Sequence, residues 1–384
     1  NNQGEKWIKF STGLPTISVR DLVIQKREND LVLATFGRGF YVLDDFSSLR
    51  KLNTSNSNEV ILFDVKEALQ YNPIRSGTSS QGSSYYTSKN PPYGAIFSYN
   101  LPDSYKSLKS LRSKREKELD KLNKDIPFVG WDELDKEINE TKSKIILEIR
   151  DDNGDLVDRI NGSTKKGINR VSWNLSKPLP TILNSNSRWS RSSLTVKPGK
   201  YSVHLLELVQ GGVNELTKSK TFDVKRIREN VLKNPLSSKI DEFILELNKF
   251  EIEYSVMISN YIKSKKKQSS FENTLRYIKN IDSDILNKLN ELKDQMNLTD
   301  VLLYGNKSKK EIMEKDISLV SERISIAKRG FYGNSYGPTK HHMDSFDIAK
   351  DQWDSISPRV EKFIKAVDVL SNDLEQLGAP IILN

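Results

Sequence analysis

Cysteine is absent from the 384 residues, which excludes disulfides, thiolate metal sites and cysteine nucleophiles in one step. Histidine occurs three times, too sparsely to support a serine triad on residue count, and no G-x-S-x-G elbow is present. No apolar run reaches the roughly 20 residues that cross a bilayer, so no membrane span is expected. A Walker A loop is missing, and Gly37-Arg38-Gly39 lacks the remaining glycine of a dinucleotide fingerprint, so no cofactor is expected. The His-x-x-x-His spacing of metal-binding helices is also missing: His341 and His342 are neighbours and project differently, which leaves no metal site expected.

What the chain does carry is charge of both signs. Lys and Arg total 60 against 51 Asp and Glu, a net charge of +9, but the excess is dispersed rather than gathered and interleaved with aromatics. No nucleic-acid partner is therefore expected. The densest basic cluster, Lys263 to Lys267, lies between two helical patterns and reads as a solvated helix end or loop.

The N-terminal stretch organises the reading. Val19 to Ile24, Leu31 to Phe36 and Phe40 to Leu43 are short apolar runs divided by turn residues, which predicts consecutive antiparallel strands. Such sheets occur as propeller blades, and a blade needs stacked neighbours to bury its faces.

Asn2-Gln3-Gly4-Glu5-Lys6-Trp7 resembles the second half of an Asp-box hairpin, S-x-D-x-G-x-T-W, with Asn2 at the Asp position and Lys6 at the Thr position. Gly13-Leu14-Pro15, Thr35-Phe36-Gly37-Arg38-Gly39 and Leu43-Asp44-Asp45 resemble the end of the propeller in large secreted bacterial sortilin-like and neuraminidase-repeat proteins, often labelled glycosyl hydrolase. Asn90-Pro91-Pro92-Tyr93-Gly94-Ala95, Asp152-x-Gly154, Pro198-Gly199-Lys200-Tyr201 and Leu377-Gly378-Ala379-Pro380 fit the same family. The resemblance implies an extracellular or cell-surface location, or a periplasmic one. It implies as partners the remaining propeller blades of the parent protein, with a glycan or a surface protein as a further partner.

The fold class expected is multi-domain α+β. Residues 1–48 read as the end of a β-propeller, with about one blade, and 49–92 as a connector in which Gly77 to Ser88 form a long loop. Residues 93–228 read as an immunoglobulin-like β-sandwich with a helical insertion near 104–143, because short alternating strands and turn signals recur there. Within it, Asp152-Asn153-Gly154 marks a hairpin, and Trp173 and Tyr201 are expected in the core. From 229 to 384 the period becomes helical, predicting an antiparallel bundle. Its helices are expected over Ile240 to Met257, Phe271 to Met296, Lys309 to Lys328 and Asp347 to Leu377, with Pro358 kinking or restarting the last.

Four residues stand out as candidates for function. Asp44 and Asp45 form an acidic pair of the kind glycosidases use, although adjacent strand residues point to opposite faces and cannot clamp one bond. Arg38, between two glycines, could reach an anion at a propeller mouth. Trp189 lies in a polar loop, where an exposed aromatic marks a contact surface. The function expected is a non-catalytic binding and structural-support module, the alternative being a glycoside hydrolase whose active site lies mainly in other blades.

Overall fold

The computed structural model describes residues 7, 9, 13–52, 57–71, 90–180, 193–209, 211–228, 232, 234–235, 239–278, 281–331 and 336–380. It is a mixed α+β fold with several sheets, one of them curled into a half-barrel, and eight α-helices among the described residues. The chain divides into two compact units, one of Asn1–Pro178 with Ser193–Arg228 and the other of Leu179–Ser192 with Glu229–Asn384.

The first unit opens with β1 (Val19–Gln25), β2 (Asp30–Thr35) and β3 (Phe40–Leu43), an antiparallel three-stranded sheet in sequence order. The three runs read from the sequence are these strands. Asn29, at φ +56, turns the chain between the first two. A five-residue helix, α1 (Ser47–Lys51), follows.

Next come β4 (Ile61–Leu62), β5 (Ala68–Gln70) and β6 (Ala95–Leu101), then the helices α2 (Leu108–Lys121) and α3 (Trp131–Ile138). Strands resume with β7 (Lys144–Asp151), β8 (Leu156–Gly162), β9 (Gly167–Trp173), β10 (Ser176–Pro178), β11 (Ser193–Thr195), β12 (Gly199–Val209), β13 (Gly212–Glu215) and β14 (Lys220–Arg226). One sheet runs β4-β6-β9; a larger one runs β5-β14-β12-β7-β8, with β13 paired to β12.

These two sheets share one core because their strands bury every second residue, the period that puts alternate side chains on one face. Phe97, Tyr99 and Leu101 of β6 join Ile145, Leu147 and Ile149 of β7, Tyr201, Val203 and Leu205 of β12, and Phe222 and Val224 of β14. Phe97 and Phe222 meet edge to face with centroids 5.4 Å apart. Trp173 is fully buried, and its indole N–H donates to Asp158 Oδ2 at 3.1 Å and to the Ser176 carbonyl at 3.0 Å. Trp173 and Tyr201 are thus both in the core, as expected. Gly154, at φ +84, turns β7 into β8, while Asp151 Oδ1 accepts the backbone N–H groups of Asn153 and Asp155.

The second unit is helical: α4 (Ile240–Thr274), α5 (Ser283–Tyr304), α6 (Lys307–Glu311), α7 (Val320–Arg329) and α8 (Lys340–Gln376). Along α8 the buried residues Phe346, Ala349, Trp353, Ile356, Val360, Phe363, Val367, Leu370 and Leu374 fall at three- and four-residue steps, one face of a helix. They pack on α4 through Phe243–Phe346, Tyr254–Trp353 and Tyr261–Phe363 ring contacts, with centroids 5.7, 4.8 and 5.2 Å apart. Gly378, at φ +92, ends α8, and the Ala379 N–H bonds back to the Leu374 carbonyl at 3.0 Å.

Several expected helix limits are corrected. The stripe beginning at Ile240 continues to Thr274, so Lys263 to Lys267 lie inside α4 instead of between helices. Two of its lysines meet acids from other helices: Lys265 Nζ lies 2.7 Å from Asp300 Oδ1, and Lys267 Nζ lies 3.3 Å from Asp368 Oδ1. The helix expected from Phe271 is interrupted, and α5 starts at Ser283 under the cap of Asp282. The one expected from Lys309 to Lys328 is two helices, because Met313, at φ +56, takes the chain out of the helical region. Helix α8 begins at Lys340 and runs through Pro358 without a restart.

Candidate functional site

The turn between β2 and β3 is built by Gly37 and Gly39, at φ +79 and +73, conformations that cost a side-chain-bearing residue. Thr35 closes it, its N–H and its hydroxyl both donating to the Gly39 carbonyl at 3.1 and 2.7 Å. Arg38 stands exposed at the tip, with no hydrogen bond or ion pair among the described residues.

Asp45 sits at φ +40 at the end of the sheet. Its N–H donates to Asp30 Oδ1 at 2.9 Å, and its Oδ1 accepts from the Ser47 N–H at 3.3 Å and from the Ser47 hydroxyl. This carboxylate orders the entry to α1. The Asp44 carbonyl accepts from Arg170 Nη1 at 2.6 Å, which ties the end of the small sheet to β9. Trp189 and the Asp-box-like residues 1–6 lie outside the described residues, as does Gly77 to Ser88.

The faces of the small sheet are its most unusual property. Register places Leu22, Leu33 and Tyr41 in one row and Ile24, Leu31 and Leu43 in the next. Val23, Val32 and Val42 form a row on the opposite face, with Ala34 and Phe40 beside it. Both faces are therefore apolar, the pattern of strands buried on two sides, whereas a sheet wetted on one side alternates apolar and polar. Yet Leu33 is the only buried residue of the three strands. Leu22, Val23 and Val42 are more than half exposed and Phe40 is 76% exposed. Arg20 lies over the Phe36 ring at 4.8 Å. The outer edges of β1 and β3 pair with no strand among the described residues.

A second constellation, not foreseen from the sequence, lies on the large sheet's face away from the core. Ser202 Oγ is 3.4 Å from His204 Nε2, and His204 Nδ1 is 2.9 Å from Glu215 Oε1. Beside them, across the register from His204, is Glu148, buried and held by Arg150 Nε and Arg159 Nε at 2.7 Å each. Burial pushes the Glu148 carboxyl up, but the hydrogen bonds from Arg159 and Arg150 outweigh it and hold the group below the usual carboxylate range.

The order serine–histidine–acid matches that of nucleophilic hydrolases, but the setting does not. Acyl transfer needs unpaired N–H donors aimed at the developing oxyanion. At Ser202 the strand is paired on both sides, to Arg150 of β7 and Thr221 of β14, so its amides belong to the sheet ladders. The array instead fastens the β13 return to β12. The alternation of Ser202 and His204 was legible in sequence; their link to Glu215 depends on a pairing that was not.

The histidine pair serves a helix end. His342 Nδ1 accepts the Thr339 N–H at 3.1 Å and lies 2.7 Å from the Thr339 hydroxyl, a capping arrangement at the start of α8. Burial, and then the neighbouring His341, push the His342 pKa below its ordinary value. Because the folded chain disfavours the proton, the stabilisation is complete above the ordinary histidine pKa of about 6.5 and is lost as pH falls through the lowered folded value. The protection of the Thr339 amide, its exchange measured relative to the intrinsic rate at each pH, should fall between about pH 7.5 and 5, a local loss of about 0.5–1 kcal/mol. His342→Gln keeps an acceptor and should abolish that dependence; an unchanged pH profile in the variant would contradict this role.

Among the described residues no group of three or more histidine, aspartate or glutamate side chains could hold a metal ion, and no helix is long and apolar enough to cross a membrane. Comparison with protein-family models, with curated proteins and with solved structures gives no match to the chain. Beyond a mixed α+β protein, the class rests on the residues and geometry above.

Proposed function

We propose that the chain is a non-catalytic binding and structural-support module of a secreted or surface-exposed bacterial propeller protein. In this reading the three-stranded sheet is an end blade, the two sheets sharing a core are an immunoglobulin-like sandwich with α2 and α3 as its insertion, and the second unit is an antiparallel bundle. One observation carries the proposal: β1–β3 are apolar on both faces, yet Leu33 is their one buried residue and Leu22, Val23, Phe40 and Val42 are more than half exposed among the described residues. Neighbouring blades would cover both, since sheets pack face to face at about 10 Å. A glycoside hydrolase would require two carboxylates facing one bond about 5–10 Å apart. At the Asp44–Asp45 pair, one carboxylate is already engaged by Ser47.

The test uses Val42→Lys. In this chain the exposed site should tolerate the change within about 0.5 kcal/mol. Association with separately produced preceding blades should weaken at least about tenfold, because the lysine would be buried without a partner. Unaltered association, or a variant that fails to fold by itself, would contradict the proposal.

A further inference from the structure

The helices α2 and α3 form an arm whose helices have no buried residue. Ion pairs and caps hold them together. Arg112 bonds Glu137 through Nε–Oε1 at 2.7 Å and Nη2–Oε2 at 3.0 Å, and Glu116 at 2.6 Å. At the base, Glu140 accepts the Leu108 N–H, and Ser107 caps α2.

The tip that joins them has the opposite character. Ile126-Pro127-Phe128-Val129-Gly130-Trp131 is six consecutive apolar residues. Phe128 is 66% and Trp131 73% exposed, and their rings meet edge to face at 5.1 Å. Gly130, at φ +92, turns the chain so that Trp131 begins α3. Charged residues close the run at both ends, Lys124 and Asp125 before it and Asp132 and Glu133 after it.

Val129 and Gly130 are half-buried and no residue of the tip is fully buried, so the segment gains little in its own fold to offset its conformational entropy and marks a contact surface. Its pattern says which kind. A protein groove takes one apolar stripe of a segment, whereas this run is unbroken by any polar residue and ends at a charged collar on both sides. Tryptophan at the junction of apolar and charged sequence is the arrangement of membrane-interface anchors. The aliphatic neighbours Leu122 and Ile126, both exposed, suit acyl chains better than sugar hydroxyls. The collar has one lysine and three acids, which sets it against anionic headgroups.

We propose that the tip Ile126–Trp131 seats in the interface of a lipid surface with neutral, zwitterionic headgroups. This inference is independent of the propeller reading. The full chain should float with pure phosphatidylcholine vesicles, with affinity unchanged between about 50 and 500 mM salt and no anionic lipid required. Phe128→Ser with Trp131→Ser should weaken binding about tenfold or more, while Val213→Ser, an exposed apolar site on β13, should not. Circular dichroism should be the same for all three chains, because none of the replaced side chains is buried. The proposal is overturned by absence of binding, by equal binding of the double variant, or by binding that requires anionic lipid and disappears with salt. It is also overturned if the chain ignores vesicles but self-associates through Phe128 and Trp131, which would make the tip a protein contact.

Discussion

Gly94→Ala is expected to destabilise the first unit by about 3–5 kcal/mol, the largest effect of a methyl group added at any of the described glycines. Gly94 has φ +100, and a Cβ there would lie 1.9 Å from the Trp173 carbonyl oxygen and 2.9 Å from its carbonyl carbon. Both are backbone atoms, so no rotamer change relieves the overlap. The residue precedes β6, whose Ala95 pairs with Trp173 of β9, and the close approach is what lets those strands start in register. Because the two units are separately compact, urea unfolding should show the loss in the first unit's transition and leave the helical unit's in place. An unchanged midpoint would show that the strands can start elsewhere.

Trp173→Ala should cost about 3–5 kcal/mol through cavity formation alone. The side chain is fully buried, with ring centroids 5.7 Å from Tyr201 and 6.2 Å from Phe222. Removing it also leaves Asp158 Oδ2 and the Ser176 carbonyl without the indole donor. Trp173→Phe separates the two contributions, since it fills most of the volume without the N–H. Its cost should be about half that of the alanine variant or less. Equal losses for both, read from the same unfolding curves, would mean that the hydrogen bonds rather than the packing hold the two sheets together.

Much of the strand layout was legible because strands announce themselves twice, by alternation and by the turn residues that end them. Leu31 to Phe36 and Phe40 to Leu43 are set apart by glycines that the backbone requires, and Trp173 and Tyr201 fall on the inward phase of their strands. Helix limits were less legible. The basic run at Lys263–Lys267 looks like a terminus until Asp300 and Asp368 arrive from distant helices, a long-range pairing that no local pattern encodes. Met313 leaves the helical region without any glycine or proline to signal it.

The same division holds for function. Arg38 stood out between two glycines and Asp44 and Asp45 as an acidic pair; the bonds of Asp45 to Asp30 and Ser47 and of the Asp44 carbonyl to Arg170 depend on pairings that the sequence does not display. The role of His342 had a signal in Thr339-x-x-His342, the spacing of a capping box. The exposure of Phe128 and Trp131 had none, because an apolar run reads identically whether a core receives it or solvent does.

The measurement that tests the central claim most directly is backbone hydrogen exchange over Val19–Leu43, compared between this chain and the longer propeller protein that the proposal requires. If the sheet is an end blade, the amides of β1–β3 should exchange at least about a hundredfold more slowly in the longer protein, where both apolar faces and an edge are covered. Equal exchange in the two would show that the sheet is complete as it stands, and the reading of this chain as a propeller's supporting module would fall.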